Sequence, residues 1–187
     1  VCEYRNWSVS DSNRLFMFEK GSSVKKGYIR FVSQIPSYTE KTTIKGLECP
    51  AVFDASQWGK RSKEAAGLCS YAALSMQLSY LGIDCLPCDM FGILNGGGFN
   101  RQTIINHLIN DKGEKIASEK VIGKDVTKTK LDGMMKNYEN DLSYSPVFVF
   151  MGDDKGWSHA VLIIGCSEGK YYLANPETRT GTGSFEI

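Results

Sequence analysis

The 187-residue chain holds only two histidines, His107 and His159, so imidazole chemistry has two places to sit. It has no surplus of charge. Lys and Arg number 22 against 21 Asp and Glu, and the net charge is +1. The basic residues are spread along the chain, and the pairs Lys25-Lys26 and Lys60-Arg61 read as solvated faces. No nucleic-acid partner is expected. No apolar run approaches the roughly 18 residues of a spanning helix, so no membrane span is expected. The N-terminal VCEYRNWSVS has none of the features of a signal peptide, so a targeting segment is expected to be absent or already removed. Internal repeats and low-complexity tracts are also missing.

Cysteines are present but too sparse for a small disulfide-stapled scaffold: Cys2, Cys49, Cys69, Cys85, Cys88 and Cys166. Cys85 and Cys88 form C-L-P-C, which reads as a redox pair, half a metal site or a coincidence. Zinc wants a second pair at similar spacing, and the chain has none. A thioredoxin-like pair opens a helix after a buried strand, whereas this pair follows a helix. No metal and no cofactor is expected. Cys2 and Cys49 are able to pair, but spacing alone does not decide it, and the redox compartment stays open.

What is present is a change of pattern along the chain. RLFMFEK (14–20) and KGYIRFVSQI (26–35) read as strands joined by a hairpin-like turn. SYTEKTTIKGLECP reads as loop with a short edge strand. Apolar faces from Ala72 through Met76 and Leu78 to Leu81 predict a helix over 68–81, with Gly82 as its stop. LPCDMFGILNGGGFN reads as a loop with a short helix, and Phe91, Phe99 and its glycine triplet suggest a substrate-facing segment within 84–102. A helix over 100–111 turns Ile104, Ile105, Leu108 and Ile109 inward, and TKTKLDGMMKNYENDL (127–142) is a further helix capped by Thr127 or Thr129. Between those two helices KVIG is a short β-like piece. The runs SPVFVFMG, SHAVLIIGCS and KYYLANPE, separated by DDKG and EGK, form an antiparallel meander. The fold class is α+β. Residues 1–187 make one domain: a β-rich N-terminal extension (1–50), a mainly helical part (51–142) and an antiparallel sheet (143–187).

Three residues stand at places where a thiol site can be built. Cys69 opens the first helix, where unpaired N–H groups and the helix dipole favour a thiolate and offer donors to an oxyanion. His159 begins the strand SHAVLIIG, beside Trp157, whereas His107 reads as an ordinary helix histidine. The hairpin through SEGK brings Asn175 back beside His159, sixteen residues later, and Pro176 ends the ladder there. Asn175 can then fix the imidazole tautomer. Gly67, ahead of the cysteine, lets a substrate backbone approach.

GLCSYAALSMQLSYLGI, WSHAVLIIG and YYLANPE together resemble the three signature blocks of papain-like cysteine peptidases. The resemblance is to the small bacterial branches: domains that cleave bacteriocin leaders, and injected effector proteases and deamidases. It implies a papain-like fold, Cys69 as nucleophile, His159 as general base and acid, and Asn175 as orienting residue. The family's upstream oxyanion glutamine would fall to Gln57, although Gln57 lies twelve residues ahead of Cys69, farther than the family spacing. The C-G-x-C-W string of papain itself is absent. The resemblance further implies a protein or peptide substrate and a protein secreted or delivered outside the producing cell, with a cytoplasmic location still open. A glutamine deamidase or transglutaminase uses the same triad. A papain-like binding module and a redox protein built on Cys85 and Cys88 are the two other readings.

Overall fold

The computed structural model describes residues 15–20, 28–33, 68–95, 98–112, 117–122, 128–140, 144–152, 158–176 and 182–186. In chain order the elements are β1 (Leu15–Lys20), α1 (Leu68–Tyr80), α2 (Pro87–Leu94), α3 (Arg101–Lys112), β2 (Ala117–Ile122), α4 (Lys128–Asn140), β3 (Val147–Gly152), β4 (Ser158–Ser167), β5 (Lys170–Ala174) and β6 (Thr182–Glu186). The six strands make one sheet in the order β2-β1-β3-β4-β5-β6. Every neighbouring pair is antiparallel. The architecture is α+β.

Strand periodicity divides the core in two. Phe18, Phe148, Ala160, Leu162 and Ala174 face one side of the sheet, where α1, α2 and α3 pack. Leu15, Met17, Val149, Val161, Ile163 and Leu173 face the other, against Leu131, Met134 and Met135 of α4. Continuously apolar strands such as VFVF and AVLII therefore follow from burial on both faces.

Helix α1 departs from the amphipathic expectation, since every residue except Ser79 is buried. Several of its buried polar groups are tied off, although Gln77 Oε1 is buried without a partner. Ser75 Oγ donates to Cys85 O at 2.6 Å. Gln77 Nε2 donates to Phe16 O at 3.0 Å and to Pro146 O at 2.9 Å, linking α1 to β1 and to the entry of β3. The helix stops where expected. Gly82 has φ 76°, Gly82 N–H donates to Ser79 O and Ile83 N–H to Leu78 O, the double bond of a Schellman cap.

The segment 26–35 was expected to be a strand beside β1, but residues 28–33 are not in a ladder. Both flanks of β1 are taken, one by β2 and the other by β3, so no edge is left for it. Arg30 N–H bonds Ser79 Oγ at 2.8 Å instead, Val32 enters the core, and Tyr28 stands 91% exposed. Lys120, Val121 and Ile122 of KVIG belong to a full strand, β2. The aromatics of the expected substrate-facing segment 84–102 pack against α1, with Phe91 buried and Phe99 partly buried. Phe91 stacks on Tyr71 at 4.5 Å and Phe99 meets Tyr71 edge-on at 5.0 Å, so both are core packing around α1. Thr127 and the side chain of Ile109 lie outside the described residues, as does the segment 37–50.

Candidate active site

Asn175 and His159 are brought together by the β4–β5 hairpin. Its turn runs through Glu168 (φ 51°) and Gly169 (φ 77°), both left-handed, which suits the right-handed twist of a two-residue hairpin. From the turn the rungs run Ser167–Lys170, Cys166–Tyr171 and Gly165–Tyr172, then shift to Ile163–Leu173 and Leu162–Ala174. Ile164 is the extra residue of a β-bulge. A one-residue slip inverts which face a side chain takes. In the shifted register Asn175 falls on the same face as Val161 and His159. His159 Nε2 then lies 2.7 Å from Asn175 Oδ1. The amide oxygen only accepts, so Nε2 carries the proton and Nδ1 is the nitrogen left to take one.

Cys69 is the second residue of α1, as the sequence pattern suggested. The helix packs on β4, where Ala160 follows His159. All three side chains are buried: Cys69 is 3%, His159 2% and Asn175 0% exposed.

The electrostatics differ from the expectation of a resting thiolate. Burial pushes the Cys69 thiol above its ordinary pKa, and the hydrogen bonds from Ala160 and Ser70 pull it back only in part. Desolvation of a charged sulfur outweighs neutral donors. The group therefore rests as a thiol, and chemistry from it requires a base in place.

Gln57, Gly67 and Trp157 lie outside the described residues, as do Asp153 and Asp154. The redox reading of C-L-P-C is overturned. Cys88 is disulfide-bonded, whereas Cys69, Cys85 and Cys166 are thiols, so Cys85 and Cys88 do not pair. Both are fully buried in the core under α1. Among the described residues no group of three or more His, Cys, Asp or Glu side chains is placed to share a metal ion, and no helix is long and apolar enough to cross a membrane.

Sequence reasoning missed the bulge. Gly165, a glycine inside a strand, was its one available signal.

No protein-family model matches the chain, and neither the curated proteins nor the solved structures give a significant match.

Proposed function

We propose that the chain is a papain-like cysteine amide hydrolase, most simply a thiol protease with Cys69, His159 and Asn175 as its triad. The observation that carries this reading is the buried 2.7 Å His159–Asn175 bond, with the helix that Cys69 opens packed on the strand that carries His159. A histidine oriented by an amide, next to a thiol at a helix start, is the arrangement nucleophilic thiol chemistry uses.

In this mechanism Cys69 gives its proton to His159 Nδ1 as the sulfur attacks the amide carbonyl. Asn175 keeps the imidazolium aligned, and the helix-start N–H groups receive the oxyanion. The amine leaves with the proton from Nδ1, giving a thioester. Water, deprotonated by His159, then releases the acid and restores the thiol. With a glutamine side chain as the amide the same steps release ammonia, and with an amine in place of water they transfer the acyl group.

One observation favours a binding module instead. A buried thiol with a raised pKa is how an inert core cysteine also behaves. Labelling with a thiol-alkylating peptidomimetic separates the two. Stoichiometric modification at Cys69 that His159→Ala abolishes supports the enzyme, and no selective labelling points to the module. A mass-spectrometric substrate profile against a Cys69→Ala control then identifies the amide cleaved.

A further inference from the structure

We propose that residues 28–33 form a strap that fastens the end of β5 to helix α1, and that Ser33 is a positioning residue for Asn175. The inference rests on the reading of His159 and Asn175 as triad members and adds a residue that acts through them.

The ladders of the sheet stop just short of Asn175. β5 makes its last rungs at Ala174, to Leu162 on one side and Thr182 on the other. Asn175 and Pro176 lie beyond them, and both are buried. Pro176 has no N–H with which to continue a ladder. The backbone that carries the Asn175 amide is therefore held by contacts other than strand pairing. Ser33 supplies one: its hydroxyl donates to Pro176 O at 3.4 Å, from 143 residues away in the chain.

Ser33 is anchored from behind. Val32 is 6% exposed and belongs to the core cluster that contains Cys69, Ala160 and Ala174. Arg30 N–H donates to Ser79 Oγ at 2.8 Å, and the Arg30 guanidinium pairs with Asp84 Oδ1 at 2.5 Å, just past the end of α1. Four successive residues thus carry fastenings to α1, to the core and to the residue after Asn175. A hydroxyl bond of this length adds little stability. Its effect is on direction, because a small displacement of an orienting group misaims the imidazole it holds.

The test reads the His159 tautomer by NMR of the ring nitrogens, in the isotope-labelled full chain at a pH where the imidazole is neutral. The chain has two histidines, so the signals missing from His159→Ala are those of His159. Ser33→Ala is expected to lower the ratio of the Nε2–H to the Nδ1–H tautomer about fivefold, with thermal melting showing the fold kept. Ser33→Thr, which keeps the hydroxyl, is expected to follow the wild type. In an Asn175→Ala background the preference is already lost, and adding Ser33→Ala is expected to move it no further. An unchanged ratio in Ser33→Ala overturns the proposal. So does an equal shift in the Asn175→Ala background, since Ser33 would then act elsewhere, and so does a folded Ser33→Thr that falls as far as Ser33→Ala. If Ser33→Thr does not fold, the double variant decides; if Ser33→Ala does not fold, Ser33→Cys, similar in shape and a weak donor, takes its place. A wild type that cleaves no amide while Ser33→Ala still moves the ratio removes the hydrolase reading and leaves the role of Ser33 standing.

Discussion

His159 and Asn175 meet across an irregular hairpin, and the irregularity is what lets them meet. Counted straight from the Ser167–Lys170 rung, the ladder would set Asn175 opposite Leu162, on the face away from His159. The bulge at Ile164 shifts the count by one, so that Leu162 pairs with Ala174 and Asn175 falls on the imidazole's face. Deletion of Ile164 is therefore expected to separate the pair and abolish Cys69-directed labelling. Gly165→Ala is expected to be mild, within about 1 kcal/mol. A Cβ there meets only Tyr172 at 3.7 Å. Alkylation and denaturant unfolding of the two variants check the contrast.

Removing the base exposes the thiol's own chemistry. Cys69 has a raised pKa, so its thiolate appears at higher pH than that of an ordinary cysteine. In His159→Ala, alkylation of Cys69 at pH 7 is expected to fall at least tenfold and to recover only above about pH 9. Equal rates in both proteins would remove His159 from the site.

The orienting role of Asn175 is graded. Asn175→Ala is expected to lower kcat by about ten- to hundredfold with the fold kept, while Asn175→Asp, which still offers an acceptor to Nε2, loses less. Single-turnover kinetics separate this from a change in binding.

Gln77 carries much of the fixing of α1. Replacing it by Leu removes the donor to Phe16 O, Pro146 O and Ser145 Oγ in a fully buried place. A loss of about 2–4 kcal/mol in urea unfolding is expected, from the buried hydrogen bonds lost between α1, β1 and the entry of β3.

On the opposite face, the Tyr171 hydroxyl donates to Asp132, and Lys128 pairs with the same carboxylate at 3.1 Å. The Tyr171 bond and Lys128 lower the Asp132 pKa, so its contribution is present above the unfolded carboxylate value and fades as pH falls through the folded one. Burial and Asp132 raise the Tyr171 pKa, so its contribution is present below about pH 10 and fades as pH rises through the folded value. Tyr171→Phe is expected to flatten both limbs of a Tm-against-pH curve.

Under denaturing, non-reducing conditions, Cys69, Cys85 and Cys166 are expected to alkylate while Cys88 stays in a disulfide. Peptide mapping before and after reduction reads this directly, and a Cys85–Cys88 crosslink would contradict it.

Much of the scaffold was legible because its signals are local. The helix from Leu68, its stop at Gly82, the meander β3–β4–β5 and the SEGK turn each depend on a few neighbouring side chains and on φ values that glycine permits. The nearness of His159 to Asn175 was legible too, since a hairpin fixes distance by counting. Other features depend on groups far apart in the chain. Residues 28–33 carry a strand pattern but stay out of the sheet, because residues 117–122 and 147–152 had already taken both flanks of β1. Phe91 and Phe99 look like loop aromatics until Tyr71 is beside them. The register shift that sets Asn175 on the face of His159 and the thiol's raised pKa arise from packing, hydrogen-bond direction and desolvation. These are properties of the assembled chain, so only the tertiary structure decided them.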